Sequence, residues 1–266
     1  MSELTQKKDL PVISHVTKRN DLPVISHVTK RNDFIEIKYT GFANEEIFDS
    51  NVEEDLKKLN PEAKVEKTIV VVGEGMVVPG FDKALENKEL NKEYEISLSP
   101  KEGFGERDRN LMKTLPLKSF HEQKVDPKAG MLLTLDNSLV KIVAVSGARV
   151  TADFNNPMAG KNLRYKFIIT RKVEDIKEKS ETLFQLFFRL VPEFEVKENS
   201  VVVKGPKNFE LFVNVYKEKF KELIGKDLVF EEISKEEFEK HLKQISEKHE
   251  HEHTHEHSHA REGHEH

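Results

Sequence analysis

Strict alternation opens the foldable part of the chain. In "FIEIKYTGF" Ile35, Ile37 and Tyr39 fall on one side and Glu36 and Lys38 on the other, the period-two pattern of a half-buried strand. The spacing then becomes helical. In "VEEDLKKL" Val52, Leu56 and Leu59 predict a short amphipathic helix ahead of an apolar strand, "TIVVV". "PGFDKALEN" opens with Pro79 and stacks Phe81 over Leu85, which predicts a brief helix with proline in its first turn. Alternation returns in "EYEISLSP", through Tyr94, Ile96 and Leu98, and in "LRYKFIITRKV", where Leu163, Tyr165, Phe167 and Ile169 share a face. Between these two strands, residues 107–160 carry "LVKIVAV" and "ARVTADF" around Ser146 and Gly147, and read as a small β-rich insert.

After residue 176 the pattern changes. "SETLFQLFFRLV" predicts a helix capped by Ser180, ended by Pro192 and apolar nearly all round. "FEVKENSVVVKG" predicts a hairpin turning at Asn199 and Ser200. Phe209, Val213, Tyr216, Phe220 and Leu223 mark a longer helix stopped by Gly225, and "LVFEEI" a strand. Ser234 and Glu237 form a capping box before Phe238, Leu242 and Ile245. The order is α-β-β-α-β-α. At the other end "DLPVISHVTKRN" occupies residues 9–20 and recurs letter for letter at 21–32. Two identical adjacent copies cannot be the same element of one domain, and two units are too few for a solenoid. Residues 1–32 therefore read as a duplicated, loosely ordered extension, with a doubled docking peptide as the alternative.

Composition narrows the function. The 266 residues suffice for two or three small domains. Lys and Glu are mixed throughout and the formal charge is -5, so the one-signed basic field that nucleic acid demands is missing. Neither an apolar run near membrane-spanning length nor a secretory leader pattern occurs, so the expectation is a cytoplasmic protein without a membrane partner. With no Cys, disulfides, thiolate metal sites and cysteine nucleophiles are excluded, and any metal must be held by His, carboxylate or backbone.

By pattern alone Phe48, Phe81 and Tyr165 are core aromatics, because large apolar side chains are usually buried. Asp49, directly after an aromatic, fits that reading less well, since a carboxylate in an apolar site must be hydrogen-bonded. It could also be read as a catalytic base. The order and spacing of "YTGF", "IFDS", "GEGMVVPGFDKAL" and "SPKEGFG" resemble the FKBP-type peptidyl-prolyl isomerases over residues 33–106 and again over 161–176. The insert, entering after "GFGERD" and leaving at "NPMAGKNLRYKF", resembles the insert-in-flap domain of the SlyD-like branch, and the C-terminal region resembles that of long archaeal members.

The resemblance implies an α+β fold: an antiparallel half-barrel sheet wrapped on a short helix (33–106 plus 161–176), an insert-in-flap domain (107–160), a C-terminal α/β domain (177–246) and a disordered His-rich tail (247–266). It implies a prolyl isomerase whose pocket comprises Tyr39, Phe48, Asp49, Val77, Val78, Phe81, Phe104 and Tyr165. In that pocket Val78 offers a backbone N–H, Phe81 floors the proline site, and Asp49 is a wall rather than a base. Phe104 stands where many relatives have Tyr, and Phe81 where many have Trp; both keep the pocket apolar. Isomerisation needs no cofactor.

In the insert, Met112, Leu115, Leu117, Phe120, Met131, Leu132 and Leu133 divide between core packing and a surface for unfolded or proline-containing clients. The resemblance also implies a homodimer through the C-terminal domain. His121 and His241 read as surface residues. In the tail, His249, His251, His253, His255, His257 and His259 sit two apart, with His264 and His266 beyond. An extended chain with that spacing sends its imidazoles to one side, where several can converge on Ni, Zn or Cu. Glu, Thr and Ser between the histidines argue against a purification tag, and a merely solubilising tail is the other alternative. Two rival functions are a holdase or ribosome-associated chaperone without significant isomerase activity, and a metallochaperone.

Overall fold

The computed structural model describes residues 28–135 and 138–252, with 245–252 as backbone alone. The first alternating segment is β1 (Phe34–Ala43), the spine of a five-stranded antiparallel sheet. It is followed by β2 (Glu46–Ser50), α1 (Glu53–Leu59), β3 (Thr68–Val71), α2 (Pro79–Ala84) and β4 (Glu93–Leu98). The insert contributes β5 (Met112–Pro116), α3 (Leu117–Glu122), β6 (Leu132–Leu135), β7 (Ser138–Ser146) and β8 (Arg149–Asp153). The chain then returns to the first sheet as β9 (Leu163–Lys172), which lies between β1 and β4.

One edge of β1 is shared by two strands. β3 pairs with Phe34 to Ile37, and β2 with Thr40 to Ala43. The seam falls at Lys38 and Tyr39, where a side chain replaces the missing ladder: Asn51 Oδ1 accepts from the Tyr39 N–H (2.7 Å), and its Nδ2 donates to the Ile37 carbonyl (2.8 Å) and Thr68 Oγ1 (2.9 Å). Buried backbone groups need partners, and Asn51 supplies them where no strand can.

The inward face of this sheet, with Ile35, Ile37, Tyr165, Phe167 and Ile169, closes over Phe81 of α2 and over Leu85, the residue that caps its C-terminal end. Alternation predicted that face correctly. Helix α1 differs from expectation: none of its residues is buried, and Leu59 is exposed, so its few apolar positions make no inward stripe.

Residues 28–32, assigned from the sequence to the N-terminal extension, belong to the folded body. Thr29 is fully buried, and its hydroxyl donates to the Leu85 carbonyl (2.5 Å) and accepts from the Lys88 N–H (3.0 Å), closing the C-terminal end of α2. Lys172 donates to the Val28 carbonyl and pairs with Asp33 (2.7 Å). The first repeat copy and the start of the second lie outside the described residues.

The insert has its own four-stranded antiparallel sheet, in the order β5-β8-β7-β6, and its own core of Phe120, Val140, Ile142, Val150 and Ala152. The two expected strands are β7 and β8; β5, β6 and α3 were not foreseen.

The C-terminal order is as expected: α4 (Ile176–Phe188), β10 (Phe194–Val196), β11 (Ser200–Gly205), α5 (Glu210–Ile224), β12 (Asp227–Glu232) and α6 (Lys235–Glu252). β10 pairs antiparallel with β11, which pairs parallel with β12 across α5. Helix α4 begins at Ile176, four residues before Ser180. Its cap is Asp175, whose carboxylate accepts from the Glu178 N–H (2.8 Å), and Ser180 lies inside the helix with its hydroxyl on the Ile176 carbonyl. Phe34 and Val71 of the first sheet, with Val173 just beyond β9, share a core with Leu183, Phe184, Val201 and Phe220. At the rim of this joint Arg171 bridges Glu36 (2.8 Å) and Glu178 (2.9 Å), and Lys67 also pairs with Glu178.

Helix α6 starts at the expected capping box, with Ser234 Oγ accepting from the Glu237 N–H (3.2 Å). It runs to Glu252, beyond the tail boundary drawn at 247. His241 is not a solvated residue: it is half-buried, with Nδ1 3.9 Å from Glu193 and Nε2 enclosed without a partner. Among the described residues no helix is long and apolar enough to cross a membrane.

Candidate active site

Six of the eight residues expected to form the pocket are linked by direct contact. Phe81 and Tyr165 are buried and stack with centroids 4.6 Å apart. Tyr39 meets Phe81 edge-on at 5.9 Å, Phe48 meets Tyr165 edge-on at 5.8 Å, and Phe104 meets Phe48 at 6.0 Å. Such edge-to-face packing holds the rings at defined angles. Val77 and Val78 pack on the same core as half-buried residues just before α2. Asp49 stands at the exposed rim rather than in an apolar interior, and its Oδ2 accepts from the Tyr39 hydroxyl at 2.9 Å.

Local sequence explains these positions. Gly41 pairs with both Asp49 and Tyr165 across its two neighbouring strands. A Cβ there would lie 2.9 Å from the Phe48 ring and 3.0 Å from Tyr165, so only glycine lets the two rings close over β1. Proline at the first position of α2 leaves Val78 as the N-cap, whose N–H the helix does not use. Ser99 and Glu102 form a reciprocal capping box around the single 3-10 turn Pro100–Glu102, which delivers Phe104 to the rim.

Sequence reasoning missed one anchor of the site. The carboxylate of buried Asp82 reaches back from α2 to accept from the Gly73 N–H (2.8 Å) and the Gly75 N–H (2.9 Å). Both glycines have positive φ, 85° and 69°. This fixes the loop that carries Val77 and Val78. In "GEGMVVPGFD" the two glycines precede the acid by nine and seven residues, with Asp82 in the first turn of the helix that follows.

Electrostatics keep the tyrosines neutral. Burial, then the neighbouring Asp49 charge and the hydrogen bond to it, hold the Tyr39 hydroxyl well above the ordinary tyrosine range. Burial first and the Asp49 charge second push Tyr165 up to about 12. The result is an aromatic cluster, the candidate prolyl hollow, with one hydroxyl–carboxylate pair at its lip and, among the described residues, no aligned nucleophile and base.

A family model described as FKBP-type peptidyl-prolyl cis-trans isomerase matches residues 26–121, and one described as the FKBP26 IF domain matches residues 113–158. A short-type peptidyl-prolyl cis-trans isomerase of Methanocaldococcus jannaschii is 30% identical over 145 residues, covering 53% of this chain and 90% of the relative. The chain belongs to the FKBP-type peptidyl-prolyl cis-trans isomerase family. SlyD of Treponema pallidum is 30% identical over 123 residues, covering 45% of this chain and 68% of that protein. SlyD of Escherichia coli is 29% identical over 98 residues, covering 35% and 49%.

Of the insert residues expected to meet clients, Met112, Met131 and Leu132 are exposed on this isomerase. Phe120 is core, and Leu115, Leu117 and Leu133 pack half-buried against it. Leu139, Val143 and Val145 of β7 are exposed as well and were not foreseen. They were detectable, because "LVKIVAV" is apolar on both faces of a strand whose inner face needs only Val140 and Ile142.

Among the described residues no group of three or more His, Asp or Glu side chains could hold a metal ion. His249 and His251 fall in the backbone of α6, so the extended-chain argument does not apply to them. His253, His255, His257, His259, His264 and His266 lie outside the described residues.

Proposed function

We propose that this prolyl isomerase works on unfolded or nascent chains, which its insert captures and its aromatic hollow turns over. The observation that carries the proposal is the exposed apolar surface of the insert: Met112, Met131, Leu132, Leu139, Val143 and Val145 are all more than a third exposed. Exposed apolar side chains concentrated in one small domain suit an interaction surface, and methionine adapts to varied partners. Weak capture on such a surface raises the local concentration of prolyl bonds near the hollow.

Catalysis follows from the character of the hollow. Rotation about an X-Pro bond is opposed by amide resonance, with a barrier of about 18–20 kcal/mol. The twisted amide loses that resonance and much of its dipole, so Phe81, Tyr165, Phe48 and Phe104 favour it over the planar amide. Each preference of about 1.4 kcal/mol is worth about tenfold in rate. The Val78 N–H receives the peptide backbone, Phe81 floors the proline ring, and the Tyr39–Asp49 pair flanks the carbonyl.

Two accessory roles complete the proposal. The tail histidines bind Ni or Zn, and in suitable supply Cu, through neutral imidazole. The C-terminal domain pairs with a second copy of the chain, a reading supported by Leu211, Phe212 and Val215, which are exposed on one side of α5.

Capture by the insert is tested by the double variant Leu132→Asp/Leu139→Asp in a refolding assay limited by prolyl isomerisation. KM for the unfolded protein rises about tenfold, as the loss of two apolar anchors requires. An unchanged KM contradicts capture.

A further inference from the structure

The isomerase core and the insert core share no residue. Two linkers join them, residues 105–111 outward and 154–160 back, and these are tied to each other at several points. The Gly160 N–H donates to the Gly105 carbonyl (2.8 Å) and the Phe154 N–H to the Leu111 carbonyl (3.0 Å). Arg107 pairs with the buried carboxylate of Asp153 and covers Gly160, where a Cβ would lie 2.9 Å from Arg107 Cγ.

The tie that spans both linkers by side chain is Asn155, only 6% exposed. Its Oδ1 accepts from the Asp108 N–H (2.8 Å), while its Nδ2 donates to the Asp108 carbonyl (3.0 Å) and to Asp153 Oδ1 (2.7 Å). A primary amide has two donor hydrogens and one acceptor oxygen, and here all are used. No other side chain of this length offers a donor pair and an acceptor in that fork; aspartate would set a carboxylate against Asp153 and the Asp108 carbonyl. The clamp lies between the two working surfaces. Phe104 of the hollow directly precedes the outward linker, and a cleft of about 200 Å³ lined by Asn155 and Pro157 is also lined by Leu132 and Leu139 of the insert.

We infer that Asn155 is a positioning residue that holds the insert, and so a captured chain, at a set attitude to the prolyl hollow. The inference rests on the capture proposed above. Misplacement of a bound substrate lowers turnover without weakening binding.

The test compares the full-length protein with Asn155→Ala on two substrates: a proline tetrapeptide, too short to span hollow and insert, and an unfolded protein whose refolding is limited by prolyl isomerisation. For the protein substrate kcat falls about tenfold and KM is unchanged, while kcat/KM for the tetrapeptide stays within about twofold. Arg107→Gln, at a half-exposed position, moves the same quantities in the same direction and carries the test if Asn155→Ala does not fold. An unchanged kcat for the protein substrate, or an equal loss on the tetrapeptide, overturns the inference. If KM rises in Leu132→Asp/Leu139→Asp while kcat in Asn155→Ala is unchanged, the inference falls and capture stands. If neither moves, both fall.

Discussion

Tyr39 donates its hydroxyl to Asp49 at 2.9 Å, and that bond ties the seam of the sheet to the lip of the aromatic hollow. Tyr39 is held from behind by Asn51, which takes its N–H, and from the side by Phe81. The rim is thus connected through one residue to the strand junction that shapes the whole sheet.

The junction is sensitive to Asn51. Asn51→Ala leaves the Tyr39 N–H and the Ile37 carbonyl without side-chain partners in a buried setting, and the loss is about 2–4 kcal/mol. Urea or thermal unfolding measures it. A change below about 0.5 kcal/mol, the range of ordinary surface substitutions, contradicts the bridging role.

Asp82 acts on the loop rather than on the substrate. Asp82→Ala frees the Gly73 and Gly75 N–H groups and lets Val77 and Val78 wander, so kcat/KM for a proline tetrapeptide falls about tenfold. Amide exchange at Gly73 and Gly75 rises in the same variant. Unchanged kinetics and exchange together contradict the anchor.

Alkaline stability reports the buried tyrosine. An ordinary tyrosine ionises near pH 10, whereas Tyr165 in the fold is pushed up to about 12. The folded state therefore holds this proton more tightly than the unfolded state. The contribution is complete below pH 10 and is lost as the pH rises from 10 to about 12. Unfolding free energy falls over that window, and Tyr165→Phe makes the fall shallower. An identical slope in the variant contradicts the shift.

The clustering of the candidate pocket residues was readable because they are carried on short motifs with fixed spacing. Asn51 and Asp82 were not, because their importance lies in backbone groups far from their own periodic pattern; a polar letter beside a strand or in a first helical turn looks like surface. Phe34 did carry a signal. It is the apolar residue on the polar side of β1, and it marks the second core shared with Phe184. The start of α4 was misread for a physical reason. Helix begins at a charged first turn capped by Asp175, several residues before the apolar run that periodicity detects.

Metal uptake should separate from folding activity. Truncation after Glu247 removes the tail histidines and should abolish multivalent Ni or Zn binding in equilibrium dialysis while tetrapeptide turnover persists. In the full chain, uptake should weaken below about pH 6 as the imidazoles protonate. Retained stoichiometry after truncation contradicts the tail assignment.

The most direct test of the prolyl hollow is the rate of proline-limited protein refolding with the wild type, Phe48→Ala and Asp49→Ala at equal concentration. The wild type accelerates the slow phase, and both variants lose most of that acceleration while remaining folded. Acceleration by folded variants equal to that of the wild type would show that the hollow built from Phe48, Asp49 and Tyr165 is not where the prolyl bond turns.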